Sequence, residues 1–468
     1  MYEVLQLIAG RWEPGGAGHG LTVRNPADDM PVTRAAVSSA EDAAAAVRAA
    51  REAAPGWART PAAERGAALH AAATAIEAAA VDLAETMSAE TGRPVADARD
   101  SIMAGVRTLR QYAELGPVHR GRALAGREEA VDLMARQPRG VVAVITPWND
   151  PVAVSCGLLG AALATGNTVV YKPSERAPAT GWHLARLLAP HLPEGVLGLL
   201  NGDGPVGAAL AAAPVDVVAQ VGSTAAGRSI AAACARTGAK ALLENGGSDP
   251  LVVDAGVDPL WAAGQAALGA FANAGQICVS VERIYCHRTV AEPFLDALAE
   301  QADQWRPRLG PLVDRRHRNA VDEQVQQAVK DGARAVCGGV VPAGPGAWYP
   351  PTVLAGCTDE MTVMRDETFG PVAPVAVVDS FGEALHRAAD SPYGLAATVL
   401  TRSASHAHRA WRELPAGTVK INSVFGGAPG GAAHPRRGSG QGIGYGPELL
   451  DEMTVTKVVH LEAPPTGW

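Results

Sequence analysis

Between residues 140 and 247 the chain repeats one rhythm: a short apolar run, a loop rich in Gly, Pro or Ser, then a helical stretch. The apolar runs are "GVVAVITP" (140–147), "NTVVYKPS" (167–174), "GVLGLLNGDG" (195–204), "DVVAQVGSTAAG" (216–227) and "KALLENGG" (240–247). Helices are predicted near 179–190, 205–213 and 224–237. Strands without polar alternation are buried on both faces, and intervening helices supply the cover, so the segment predicts a parallel sheet. On such a sheet a ligand binds at the loops beyond the carboxyl ends of the strands.

A second series of the same kind runs from about 246 to 440. Its strand-like pieces are "DPLVVDAG", "RIYCHRTV", "PVAPVAVV", "AATVLT" and "GTVKINS". The first 120 residues carry Ala-rich helical patterns. One starts at Ser39 as N-cap and is expected to close at Pro55-Gly56, and the next breaks at Gly92. A last strand, "MTVTKVVHLE" (453–462), has no partner near it in sequence and is expected to pair with a distant segment or a second subunit. A chain of 468 residues is too long for a single core and implies two or three domains.

Charge and cysteine usage narrow the function. A formal net charge of −8 argues against a general nucleic-acid or anionic-membrane binder. The N-terminus lacks the pattern of a signal peptide, and no apolar stretch reaches the ~20 residues that span a bilayer. The six cysteines (156, 234, 278, 286, 337, 357) are scattered without zinc-type spacing, so no metal site is expected. They read as reduced thiols in a cytoplasmic protein, which leaves one of them available for chemistry.

Several loops carry candidate chemistry. "NAGQICVS" (273–280) sets Cys278 among small and polar neighbours. "ITPWND" (145–150) ends a strand with Asn149, whose amide can donate to a developing oxyanion. "YKPSE" (171–175) offers Lys172 and Glu175 to ribose hydroxyls, and an acid there repels a 2′-phosphate. "VGSTAAGRS" (221–229) places Gly222, Ser223 and Gly227 where a helix start favours an anion. "LLENGG" sets Glu244 at a strand end, where desolvation raises a carboxyl towards a useful base. "NGDGPVG" matches G-x-G-x-x-G, but no acid follows about 20 residues later, so it is a weak dinucleotide signal. "DETFGP" (366–371) alone reads as a loop.

The order of these loops, with Glu244 and Cys278 34 residues apart, resembles the aldehyde dehydrogenase superfamily from about residue 10 to 465. The resemblance implies an α/β fold. It has a Rossmann-like NAD-binding domain (1–120 and 141–245), an α/β catalytic domain (246–440) and a small β oligomerisation element (121–140 and 441–468). It implies oxidation of a small-molecule aldehyde, with Cys278 as nucleophile, Glu244 as base, and Asn149 with the Cys278 N–H as oxyanion site. The cofactor is NAD, with NADP the alternative. Ile145, Trp148, Lys172, Glu175, Pro205, Gly207, Gly222, Ser223, Gly227, Glu367 and Phe369 would bind it. A homodimer or homotetramer is implied.

The chain also departs from the family pattern. The usual "LELGGK" becomes Leu243-Glu244-Asn245-Gly246-Gly247-Ser248, which loses the lysine. A second lysine position is Leu158, and the usual "SG-x-G-R-E" becomes Ser439-Gly440-Gln441-Gly442-Ile443-Gly444, which loses the second acid. Positions that often wall the aldehyde tunnel with aromatics are Asp150, Gly157, Gly427 and Ala433, which suggests a wide tunnel for a bulky aldehyde, cationic or hydroxylated. The competing readings are a CoA-acylating enzyme and a family-like binding or structural protein.

Overall fold

The computed structural model describes residues 1–427 and 431–464. Each apolar run of the first series is a strand: Val141–Ile145, Thr168–Lys172, Leu197–Leu199, Val217–Val221 and Lys240–Glu244. These five pair in parallel. In space they lie in the order Lys240–Glu244, Val217–Val221, Val141–Ile145, Thr168–Lys172, Leu197–Leu199. The direction of winding reverses between Val141–Ile145 and Val217–Val221, and this switch opens a crevice at their carboxyl ends. The loops 146–149 and 222–223 flank it.

Three further strands complete an eight-stranded sheet. Gly440–Gln441 pairs antiparallel with Lys240–Glu244, and Gln6–Ile8 and Arg11–Glu13 extend the opposite edge. The N-terminal strands carry too few alternating residues to stand out in sequence. The helix Pro151–Ala164 lies behind the crevice and is almost wholly buried. Glycines let the helix Val95–Val118 approach it closely: a Cβ on Gly160 would lie 3.1 Å from both Leu109 and Tyr112.

The second series forms a seven-stranded sheet in the order Arg334–Cys337, Thr352–Ala355, Val372–Val378, Val281–His287, Asp249–Val253, Ala396–Leu400, Thr418–Ile421. It is parallel except at Arg334–Cys337. Only residues 245–248 separate the end of Lys240–Glu244 from the start of Asp249–Val253. The carboxyl edge of the first sheet therefore meets the amino edge of the second.

The late strand, Thr454–Glu462, finds its partner in Ala130–Pro138, antiparallel along its whole length, and Arg122–Leu124 adds a third strand. Among the described residues no single helix is long and apolar enough to cross a membrane. One local expectation fails. The helix opened by Ser39, with its reciprocal Ser39–Asp42 capping box, runs to Arg59 through Pro55 and Gly56. The helix carries on past Pro55 because its last turn anchors Trp57, which is buried in the core with its Nε1–H donating to the Leu163 carbonyl at 3.1 Å. Gly92 does end the third helix, Ala80–Thr91, in the left-handed conformation at φ 77°.

A buried acid braces the loop that follows the strand Thr168–Lys172. Glu90 has no solvent exposure and accepts from the N–H groups of Ala179 and Thr180 (both 2.9 Å) and the Thr180 hydroxyl (2.8 Å). It thereby caps the helix Pro178–Leu188 that follows the Lys172–Glu175 loop. Glu90→Ala strands three donors and is expected to destabilise the fold by about 3–5 kcal/mol, read as a lower urea midpoint at unchanged m-value.

Candidate active site

Two cavities of about 470 and 400 Å³ meet at the crevice, sharing Pro147, Trp148, Arg176, Val221, Gly222 and Ser223. Ile145, Lys172, Glu175, Gly207, Gly222 and Ser223 line the first. Lys172 is buried, and its Nζ donates to the Pro173 carbonyl at 2.9 Å. Burial pulls its pKa down to about 8. Its two remaining N–H donors and the helix start at Ser223–Thr224 suit a polar, anionic dinucleotide. The buried Thr224 Oγ1 and Gln220 Oε1 have no protein partner and add polar atoms beside this loop.

The second cavity contains Cys278, Asn149, Asp150, Trp148, Glu367 and Phe369. The cysteine loop reaches it by an unusual backbone path. After the helix Pro259–Phe271, both Asn273 (φ 50°) and Ala274 (φ 54°) are left-handed, and Gly275 follows at φ 73°. A Cβ on Gly275 would overlap the Gly370 carbonyl, so the cysteine loop lies directly on the Glu367–Phe369 loop. Asn149 Nδ2 donates to the Gln276 carbonyl at 3.0 Å, which fixes the amide beside Cys278. Burial pushes the Cys278 thiol up to about 12, with Glu244, Asp249, Glu367 and Asp150 adding to the rise.

The Phe369 loop is held by residues that sequence reasoning missed. Glu282 accepts from the backbone N–H groups of Thr368 and Phe369, both at 2.8 Å. The Phe369 carbonyl accepts from His317 Nε2 at 2.7 Å, so this nitrogen carries the proton. Together these contacts hold Phe369 at φ 53°, a conformation that costs a non-glycine residue about 1–2 kcal/mol. Trp148 packs edge-on against both His317 (5.7 Å) and Phe369 (5.5 Å). Glu282 lies four residues after Cys278, beside Arg283 at the start of the strand Val281–His287, and nothing in that pattern marks it. Glu367 bonds the Gly247 N–H at 3.0 Å through Oε1, and burial raises its pKa.

Other expected residues are placed differently. Glu244 ends its strand but does not line the cavity with Cys278. Burial raises its pKa, and a Cβ on Gly444 would overlap its Oε1. The glycine at the position of the absent second acid thus makes room for Glu244. Gly227 faces the Asn245 side chain, against which a Cβ would collide, and lines neither cavity. Pro205 is exposed and lies outside the lining, whereas Gly207 lines it. Of the four tunnel positions, Asp150 lines the cavity. Gly157 is buried in the helix behind it, Gly427 is open, and Ala433 is half-buried.

Asp150 is already engaged. It bonds the Ser101 hydroxyl and lies 3.6 Å from the Arg93 guanidinium, whose NH1 also donates to the Asn149 carbonyl at 3.3 Å. The buried Arg93 Nε has no partner.

The profile of the aldehyde dehydrogenase family matches residues 12–459. The chain belongs to that family. It is 34% identical over 448 residues to 2-hydroxymuconic semialdehyde dehydrogenase of Pseudomonas sp. (strain CF600), covering 91% of this chain and 92% of that protein. It is 35% identical over 460 residues to a Mycolicibacterium smegmatis protein whose name places it among NADP(+)-linked succinate-semialdehyde dehydrogenases, covering 93% and 88%. A crystal structure of an NAD-dependent aldehyde dehydrogenase from Sinorhizobium meliloti superimposes with a TM-score of 0.95 at 32% identity, covering 100% of this chain and 96% of that one. The protein has the aldehyde dehydrogenase fold and is an NAD(P)-dependent aldehyde dehydrogenase.

Gly275→Ala tests whether the contact between the two loops aligns the site. The added methyl meets the Gly370 carbonyl and cannot relax at positive φ. A displaced thiol of about 1 Å is expected to lower kcat about 100-fold, with cofactor affinity close to wild type in a fluorescence titration.

Proposed function

We propose that this dehydrogenase oxidises a bulky, hydroxylated aldehyde to its carboxylic acid with NAD, through a thiohemiacetal and then a thioester on Cys278. The supporting observation is the 400 Å³ cavity, which gathers the thiol, the Asn149 amide and the Glu367–Phe369 loop and adjoins the larger one. The Cys278 thiolate adds to the aldehyde carbon, and the oxygen takes the displaced electron pair. Asn149 Nδ2–H and the Cys278 N–H donate to that oxyanion. NAD, held beside the sulfur by Glu367 and Phe369, would supply the hydride acceptor that lets the carbonyl re-form. Water then attacks the thioester and the thiolate leaves. Glu244 takes the proton of that water, and its burial-raised pKa suits it to do so. To act, its carboxyl must turn from the space beside Gly444 towards Cys278.

Glu367 and Phe369 would hold the nicotinamide half, and Lys172 and Glu175 the adenosine ribose. The Glu175 carboxylate beside that ribose favours NAD over NADP. Pairing of Asp150 with Arg93 and Ser101 offsets its charge, which supports a hydroxylated tail over a cationic one. Retention of Glu244 favours water over CoA as the acyl acceptor. The exposed Val131, Val455, Val458 and Leu461 on the three-stranded sheet support pairing with a second copy, as a dimer or tetramer in the cytoplasm. The two large sheets and this small one support the three-part domain division.

Cys278→Ala is expected to lower NADH formation by about 10⁴-fold or more while leaving NAD binding near wild type. Absorbance at the NADH band, with acid product assayed without CoA, checks it. Dehydrogenase turnover in the variant, or an absolute need for CoA in the wild type, would overturn the reading.

A further inference from the structure

An oxyanion donor works only when its amide is held still, and the Asn149 backbone carbonyl carries the bonds that hold it. Asn149 Nδ2 has two N–H groups. One donates to the Gln276 carbonyl at 3.0 Å, which leaves the other for the cavity. The Asn149 carbonyl accepts from two sides, Arg93 NH1 at 3.3 Å and Asn273 Nδ2 at 3.4 Å. The same Asn273 amide reaches the Gln276 carbonyl at 3.2 Å, so the Asn149 loop and the cysteine loop share one polar junction.

Arg93 comes from neither loop. It stands between Gly92, which closes the helix Ala80–Thr91, and the helix Val95–Val118. Its side chain is 15% exposed and lines the 400 Å³ cavity together with Cys278 and Asn149. NH1 also lies 3.6 Å from Asp150 Oδ2, so one nitrogen spans two successive residues of the Asn149 loop. The Arg93 segment is wedged against the chain that leads into the helix Arg315–Lys330. A Cβ on Gly92 would lie 2.7 Å from Pro311, and one on Gly310 would lie 2.1 Å from the Gly92 carbonyl oxygen. Two residues beyond Pro311, the Val313 N–H donates to Gln276 Oε1 at 2.9 Å. The contacts close a ring: Arg93 to Asn149, Asn149 to Gln276, Gln276 to Val313, and residues 310–311 back to Gly92.

We propose that Arg93 is a positioning residue: its charged donor on the Asn149 carbonyl, closed into this ring, aims the free Asn149 N–H at the oxygen that gains charge beside Cys278. The inference rests on Asn149 serving as the oxyanion donor, and it gives Arg93 no contact with the reacting atoms. Such a donor speeds the reaction only within hydrogen-bond reach of the oxyanion, so a shift of the loop is felt in the chemical step. A charged donor holds a carbonyl more firmly than a neutral amide does, so Asn273 alone does not replace Arg93. The same guanidinium faces Asp150, so a merely structural role must be separated from the aiming of the amide.

The test is a double-mutant cycle on the rate of NADH formation in the first turnover, followed by stopped flow at saturating aldehyde and NAD. Asn149→Ala keeps the backbone carbonyl for Arg93 and removes the amide, whereas Arg93→Met keeps the stem and removes the donor. Asn149→Ala is expected to slow the first turnover about 100-fold and Arg93→Met about tenfold. The double variant should stay within about twofold of Asn149→Ala, because Arg93 then has nothing left to aim. Melting curves identify the folded variants. Where Arg93→Met does not fold, Arg93→Gln, which keeps a polar group there, carries the same cycle. Losses that multiply, to about 1,000-fold in the double variant, overturn the proposal. A wild-type first turnover in folded Arg93→Met overturns it as well. A wild-type first turnover in Asn149→Ala removes the oxyanion reading itself and the proposal with it, so the two failures are distinguishable.

Discussion

The four-residue passage Asn245–Ser248 between the two large sheets is the constraint on which the site depends. It is too short for either sheet to shift without pulling on the other. Its backbone and side chains are tied on both sides: Asn245 to the Ser439 and Gly438 carbonyls at 2.9 and 3.0 Å, and Gly247 to Glu367. A Cβ on Gly246 would collide with the Glu367 carboxyl. The crossing therefore fixes the distance between the crevice of one sheet and the cysteine loop at the amino edge of the other.

Acids buried around that junction are costly, and the structure offsets them locally. Glu282 is spent on two backbone N–H groups, and Glu367 on a third. Those bonds hold a left-handed Phe369 against His317 and Trp148, so positional accuracy is obtained through local strain and desolvation. Gly444 plays a different part. By leaving its side-chain space to Glu244, it converts a position usually occupied by an acid into a resting place for the remaining one.

Much of this was legible in the chain. The strand–loop–helix rhythm follows from burial on both faces of a parallel sheet, and it located every strand of the first series. The order of the loops brought out Cys278, Asn149, Lys172, Glu175, Gly222, Ser223, Glu367 and Phe369, which the fold gathers around two adjoining cavities. What the sequence hid are contacts between distant segments. Gly275 is a glycine because Gly370, 95 residues away, lies against it. Gly227 reads as part of a phosphate loop, yet its missing side chain makes room for Asn245. Glu282 stands beside Arg283 at the start of a strand and gains its partners only through the tertiary fold. The N-terminal strands are three to six residues long, too brief for periodicity to register.

The central claim is that Cys278 carries the acyl group and that Glu244 is the one base that releases it. Glu244→Gln should keep the nucleophile, the oxyanion donors and the cofactor cavity while stalling hydrolysis. Mixed with NAD and an aldehyde substrate and quenched in acid, this variant is expected to gain the mass of one acyl group. Peptide mapping should place that group on the fragment containing Cys278. An unmodified protein after a burst of NADH, or an acyl group on any other residue, would contradict the account.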